Sequence, residues 1–417
     1  MLSTPADPFL LPDGVALALS KGECDDPFRW LRPHAEPGQT IVRAMIPGAE
    51  ALELVTPSGS VRFSRWQVVH PFFCLVVSGE LDHYRLRGKF GEHWHDFDDA
   101  YRFPSTVWKE DLDRFASGTE LHLYRWLGAI ALTLDGLSGY RFTVWAPNAR
   151  RVSVIGDFNG WNGRRHVMRL HHQAGVWEIF LPHVHPGDHY KFEILTQRGE
   201  LLKKSDPMAL WNQSAPATAS LVATIPDPAP STKPIRQSLT SPISIYEVHA
   251  GSWRRNVDGS SLNWDELANQ LIPWVKELGF THIEFLPLNE HPFTGSWGYQ
   301  PTGFFAPTSR FDDWEGLRRL VGRCHEHDIG VLLDWVPSHF PKDDHGLRRF
   351  DGTALYEHED PRLGEHPDWG TLIYNFDHHE VRSFLLSSAV AWLDRFGVDG
   401  LRSLVNEKVL PPRKRSV

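Results

Sequence analysis

The chain has 417 residues, 43 Lys and Arg against 52 Asp and Glu, and a formal net charge of −9. That length calls for about two to four domains. The charges are mixed along the chain, so it lacks the concentrated basic surface that nucleic acid requires, and a neutral ligand suits it better. Three scattered cysteines, Cys24, Cys74 and Cys324, form no CxxC spacing, which argues against a disulfide framework or a zinc site. The N-terminal stretch MLSTPADPFLLPDG lacks a basic segment followed by an apolar one. No apolar run approaches the ~20 residues of a membrane helix, and the longest, 121–134, is broken by His122 and Arg125. The expectation is a soluble, cytoplasmic, monomeric protein with neither nucleic acid nor membrane as partner.

From about 40 to 90 and again from 140 to 200, short apolar runs alternate with Gly, Pro and Asn, which predicts two small all-β domains. The two regions echo each other. PGAEALELV at 47–55 resembles PNARRVSVI at 147–155, and His83-Tyr84-Arg85-Leu86 resembles His189-Tyr190-Lys191-Phe192. A duplicated sandwich explains both echoes; chance likeness between strand-rich stretches is the alternative. Residues 225–242 are rich in Pro and Ser and read as a linker.

Beyond it the pattern changes to strand, helix, strand, helix. Ile243–Val248 reads as a strand. Asn263 and Glu266 then form a capping box for a helix whose apolar face is Trp264, Leu267, Leu271, Trp274, Val275 and Leu278. Gly279 suits its C-terminus, and Pro273 is an interior blemish. Ile283–Leu288 is a second strand. Asp312 or Asp313 caps a helix facing inward with Trp314, Leu317, Leu320, Val321 and Cys324. Val331–Val336 is a third strand, followed by a helix carrying Val381, Phe384, Leu385, Ala389, Trp392 and Phe396; a fourth strand begins near Val398. Repeated βα units imply a parallel sheet, and periodicity alone fits both a doubly wound sheet and a (β/α)₈ barrel.

Polar and aromatic residues gather just after each strand, where α/β proteins build their sites. YEVHAGSW follows the first strand, NEHPFTGSWGYQP the second and DWVPSHF the third, and VDGLR closes the fourth. These four segments in this order resemble the α-amylase superfamily and, within it, the bacterial glycogen branching enzymes. LGFTHIEFLPLNEHPFTGSWGYQPTGFFAPTSRF and DWVPSHFPKDDHGLRRFDGTALYEH carry the likeness almost throughout, and it runs from about residue 100 to Arg402. FTVWAPNA at 142–149 and GDFNGW at 156–161 resemble the carbohydrate-binding module that precedes the barrel in that family.

The resemblance implies two N-terminal β-sandwich modules followed by the first half, about four βα units, of a (β/α)₈ barrel. In its terms 1–100 is the N-terminal module, 101–137 a connecting segment, 138–224 the carbohydrate-binding module, 225–242 the linker, 243–402 the partial barrel and 403–417 an aberrant tail. It implies an α-glucan substrate such as glycogen or amylose, no organic cofactor and, with Ser338 where many relatives place a calcium-binding Asn, no metal. Tyr299 would stack beneath a sugar ring, Asp334 and His339 would hold the same subsite, and Arg402 would orient the nucleophile. Glu290, His291, Trp297 and Gln300 are secondary candidates. Trp161 either presents its ring to a glucan or caps the sandwich edge. The nucleophilic Asp expected two residues after Arg402 is replaced by Leu404, and a basic, Pro-containing tail follows. Glu407 gives no reason to act in its place. The expectation is therefore a chain cut short before its nucleophile and general acid, inactive as written, with a half-barrel whose first and fourth strands are open edges.

Overall fold

A computed structural model of the chain describes residues 11–65, 72–229 and 241–403. They fall into two compact units. One comprises Met1–Val107, Ala131–His185 and Phe192–Lys203; the other comprises Trp108–Ile130, Pro186–Lys191 and Lys204–Val417.

The first unit is β-rich. Gln39–Met45 pairs antiparallel with Phe72–Ser78, and Ala51–Thr56 pairs with Arg85–Phe90 in a separate sheet. Alternation sends Val42, Leu52, Leu54, Phe73 and Leu86 into one core, where each is at most 3% exposed. Burying each such side chain contributes about 1.5–3 kcal/mol. The second β region repeats the scheme. Leu137–Trp145 pairs with Val176–Pro182 in unbroken register from Gly139↔Pro182 to Trp145↔Val176, and Ala149–Gly156 neighbours the strand that ends at Thr196. Gly139 is required there, because a Cβ would lie 2.2 Å from the Leu181 carbonyl oxygen. The segments that echo each other in sequence thus occupy the same places in two similarly paired sets of strands. Each set carries a buried phenol on a buried carboxylate. Tyr84 donates to Asp99 (2.6 Å) and, within the second unit, Tyr190 donates to Asp206 (2.7 Å).

Glu178, on an inner strand, accepts from Ser105 Oγ and Thr106 N (both 2.7 Å) and lies 2.8 Å from His171 Nε2. Burial alone would raise its pKa; these bonds outweigh it and hold the carboxyl down at about 2. Cys24 is buried in this unit, and burial pushes its thiol up to about 11.

In the second unit Ile245–Val248, His282–Phe285, Gly330–Trp335 and Gly400–Ser403 form a parallel sheet in chain order. Val248, Phe285, Leu333 and Leu401 lie level across it. The strand bounds depart from those expected by up to three residues, at the C-terminal end of the second strand, since strand ends are set by pairing rather than by apolar content. Helices Trp264–Glu277, Trp314–Glu326 and His379–Arg395 make the crossovers.

Asn263 Oδ1 accepts from Glu266 N (2.8 Å) while Glu266 Oε2 accepts from Asn263 N (2.9 Å), completing the capping box. Asp313, not Asp312, caps the second helix by accepting from Gly316 N. Two expected core residues are corrected: Trp274 is 38% and Leu278 49% exposed. The buried stripe is Trp264, Leu267, Leu271 and Val275; position 274 falls at its edge, and Leu278 is the C-cap, beyond the last helical residue Glu277. Trp274 instead faces the Arg254 guanidinium at 5.3 Å.

The described start of the expected linker is tied down, with Ala229 N donating to the Asp394 carbonyl (2.9 Å) and Arg395 to the Pro226 carbonyl (2.8 Å); residues 230–240 lie outside the described part. Cys324 is fully buried in the second helix, its thiol pushed up to about 12. No helix among the described residues is long and apolar enough to cross a membrane.

Candidate active site

Alternation along the parallel strands gives the sheet two chemistries. Val248, Ile283, Phe285, Val331 and Leu333 are buried on one side. Glu247, Glu284, Asp334 and Arg402 occupy the other, at the C-terminal ends. Asp334 is fully buried, and its Oδ2 accepts from Tyr299 Oη (2.5 Å) and Arg402 (3.1 Å). The same guanidinium nitrogen lies 3.4 Å from Glu284 and 3.9 Å from Glu247. Three carboxylates therefore converge on one cation.

Burial raises the Asp334 pKa, opposed by the Tyr299 bond and the Arg402 charge. Burial likewise raises that of Glu284, opposed by Arg402. Asp334 chiefly raises the pKa of Arg402, and burial lifts Tyr299 well above the ordinary phenol range with Asp334 adding to it. Asp334 Oδ1 is buried and has no hydrogen-bond partner among the described residues. A buried carboxylate oxygen in that state has unused acceptor capacity, which a ligand hydroxyl would fill.

Tyr299 is aimed by the turn before it. Gly298 has φ +87°, and a Cβ there would meet the Pro287 carbonyl oxygen at 2.3 Å. His339 Nε2 donates to the Tyr299 carbonyl (2.8 Å), so its Nδ1, 2.8 Å from Ser338 Oγ, accepts the serine hydroxyl. Burial lowers the His339 pKa, so the ring is neutral near pH 7. The structure thus brings Tyr299, Asp334, His339 and Arg402 into one bonded cluster.

The secondary candidates divide. Trp297 is 53% exposed, adopts φ 55° and stacks on His249 with ring centres 5.4 Å apart. That conformation is costly for a bulky side chain, by ~1–3 kcal/mol. Gln300 Nε2 donates weakly to the Trp369 carbonyl at 3.4 Å. Glu290 is buried and spent internally, pairing with Arg310 at 3.0 Å and accepting from Ser309 N and Oγ, both at 2.8 Å. His291 Nδ1 donates to the Asn289 carbonyl, and burial drives its pKa down to about 4. In the first unit, Trp161 is 37% exposed with φ 59°, and its Nε1 donates to Asp157 Oδ1 (3.2 Å). Leu404, the expected nucleophile position, and Glu407 lie outside the described residues.

Sequence reasoning missed four neighbours. Glu247 and Glu284 required the strand register, which sets them side by side. His366 and Trp369 come from a segment distant in sequence, yet the Trp369 ring lies 5.4 Å from that of His339. Among the described residues no group of three or more His, Cys, Asp or Glu is disposed to hold a metal ion.

Parallel βα units with carboxylates and an arginine at the strand ends, preceded by β-rich modules, define an α-amylase-like protein. The fold is similar to a putative α-amylase from Salmonella typhimurium (TM-score 0.53, 22% identity, 70% of this chain and 45% of that one). It is also similar to the catalytic module of the pneumococcal glycogen-degrading virulence factor SpuA (TM-score 0.51, 21% identity, 66% and 46%). Residues 14–101 match the N-terminal domain of the α-1,4-glucan branching enzyme GlgB, and residues 126–209 match carbohydrate-binding module 48, the isoamylase N-terminal domain.

Relatives named 1,4-α-glucan branching enzyme GlgB include those of Rhodopseudomonas palustris strain BisA53 and Ralstonia nicotianae strain GMI1000. The first is 53% identical over 94% of this chain and 55% of its own length; the second is 49% identical over 95% and 55%. Over nearly all of its length the chain is similar to these bacterial glycogen branching enzymes, and it spans about half the length of the curated relatives it matches.

Proposed function

We propose that the chain is the glucan-engaging N-terminal portion of a 1,4-α-glucan branching enzyme, which cuts an α-1,4 link and passes the severed chain to a 6-hydroxyl. The observation that carries this reading is the bonded cluster of Tyr299, Asp334, His339 and Arg402 in a chain about half identical to proteins of that name. In it Tyr299 gives a sugar ring a flat face held by its bond to Asp334. The free Oδ1 of Asp334 accepts a sugar hydroxyl, and neutral His339 fixes the Tyr299 main chain. Arg402 holds negative charge at the strand ends, where retaining transfer needs two carboxyls ~5–5.5 Å apart. The exposed rings of Trp297 and Trp161 add sugar-stacking surfaces, and Gln300 steadies the Trp369 loop.

The parallel sheet reads as the first four βα units of a (β/α)₈ barrel over 243–402. The β modules cover 1–100 and 138–224, with 101–137 connecting them, and the protein works in the cytoplasm on glycogen or amylose. No organic cofactor enters this chemistry.

A second reading, glucan binding without turnover, is favoured by Leu404, which offers no nucleophile two residues after Arg402. The two separate in one experiment. The chain is incubated with amylose, new α-1,6 anomeric signals are sought by NMR, and its retardation is followed in glycogen-containing gels. Retardation without new signals is the outcome expected with Leu404 in place, and Leu404→Asp in a chain carrying the full family length would restore the signals. Neither retardation nor signals would defeat both readings.

A further inference from the structure

Within the first unit a cavity of about 830 Å³ opens where residues 45–101 meet residues 158–184. Its size lies in the ~300–1,000 Å³ range of ligand pockets. Phe90 and Phe97 come to it from one β region and Phe158 from the other. None of the residues in the strand-end cluster takes part, and neither does Trp161.

The polar lining carries no excess of cations. The carboxyl groups of Asp96, Asp98 and Asp99 accompany the guanidinium groups of Arg85 and Arg165. Asp98 lies 2.9 Å from His183 and 3.5 Å from Arg85. Arg165 is set over the Phe90 ring at 5.8 Å, and its buried Nε has no hydrogen-bond partner among the described residues. Asn159 Nδ2 donates to His166 Nδ1 at 3.0 Å, which leaves Nε2 of that neutral ring carrying its hydrogen.

Aromatic faces with interspersed donors and acceptors and no excess of positive charge suit a ligand with apolar ring faces and a rim of hydroxyls. A phosphate-bearing ligand would want an excess of cations, which the paired carboxylates cancel. We infer that this cavity is a second α-glucan site, holding a few glucosyl units of a chain between the two β regions, distinct from both Trp161 and the strand-end cluster. The inference rests on the proposed reading only for the ligand's class.

The test uses the full chain and maltoheptaose. Hydrogen exchange should slow at residues 85–97 and 158–166 when the sugar is added. Arg165→Gln and Phe158→Ala should each weaken that local effect at least tenfold in sugar concentration, with far-UV circular dichroism unchanged. The first variant removes only a half-exposed charge, so it keeps the test sound if the second fails to fold. Trp161→Ala should leave the effect intact. Slowing confined to residues 243–402, or slowing at the cavity that inorganic phosphate elicits and maltoheptaose does not, overturns this site and leaves the proposed function standing. No response to maltoheptaose anywhere in the chain overturns both.

Discussion

The β regions and the parallel sheet use the same bond, a tyrosine hydroxyl on an aspartate, and finish it differently. Tyr84 and Tyr190 each donate to one oxygen of a buried Asp, and the other oxygen accepts a main-chain N–H, from Tyr101 (3.0 Å) and Met208 (2.8 Å) respectively. Tyr299 donates to Asp334, whose second oxygen has no partner among the described residues, and the tyrosine itself is only partly buried. A closed pair is a structural joint with both oxygens used. An open pair retains acceptor capacity, and it sits where parallel βα sheets bind ligands.

The largest effect that would sharpen this contrast is on acid stability. Burial raises Asp99 and Asp206 from 3.8 to about 6, with the phenol and main-chain bonds opposing it. Between those values the folded state binds more protons than the unfolded one, so stability falls as pH rises from ~4 to ~6, by roughly 3 kcal/mol per group. Asp99→Asn with Asp206→Asn should flatten that limb of the pH–stability curve. Glu178, held down at about 2 against an ordinary 4.5, acts in the opposite sense, and its contribution is lost as pH falls from ~4.5 towards 2. Urea unfolding across this range measures both. An unchanged slope in the double variant would show that the two joints do not titrate as described.

Next in size is removal of the phenols. Tyr84→Phe and Tyr190→Phe should each cost about 1–3 kcal/mol near pH 7, because a buried carboxylate oxygen loses its donor. Tyr299→Phe, beside an arginine that still serves Asp334, should cost under about 1 kcal/mol while weakening maltooligosaccharide binding. Equal losses at all three, read from hydrogen exchange in the neighbouring strands, would erase the distinction.

Much of this was legible beforehand because it is local. The capping box at Asn263 and Glu266, the alternation of helix and strand after 243, and the order of the four strand-end segments depend on neighbours in sequence. The closed joints were half visible, since the echo at Tyr84 and Tyr190 was read without the aspartates 15 and 16 residues on that complete it. The approach of Glu247 and Glu284 to Arg402 was not legible, since a one-residue change of register would turn either side chain to the opposite face. The partners of Glu290 were not legible for a related reason: Arg310 and Ser309, which occupy its carboxylate, lie some 20 residues later.

The smallest expected effect comes from neutralising the open pair. Asp334→Asn keeps an acceptor for Tyr299 and removes a buried charge, so stability should stay within about 1 kcal/mol. Glucan retardation in native gels should weaken several-fold. A loss of stability as large as that expected for Tyr84→Phe would place Asp334 among the joints.

The two buried cysteines give the molecule its own clocks. Cys24 lies in one compact unit and Cys324 in the other, and their thiols are pushed up to about 11 and 12. Near neutral pH neither holds an appreciable thiolate fraction, so alkylation must wait until the surrounding structure opens. The order in which the two sites acquire a mass tag therefore times the opening of each unit separately, without a label introduced from outside.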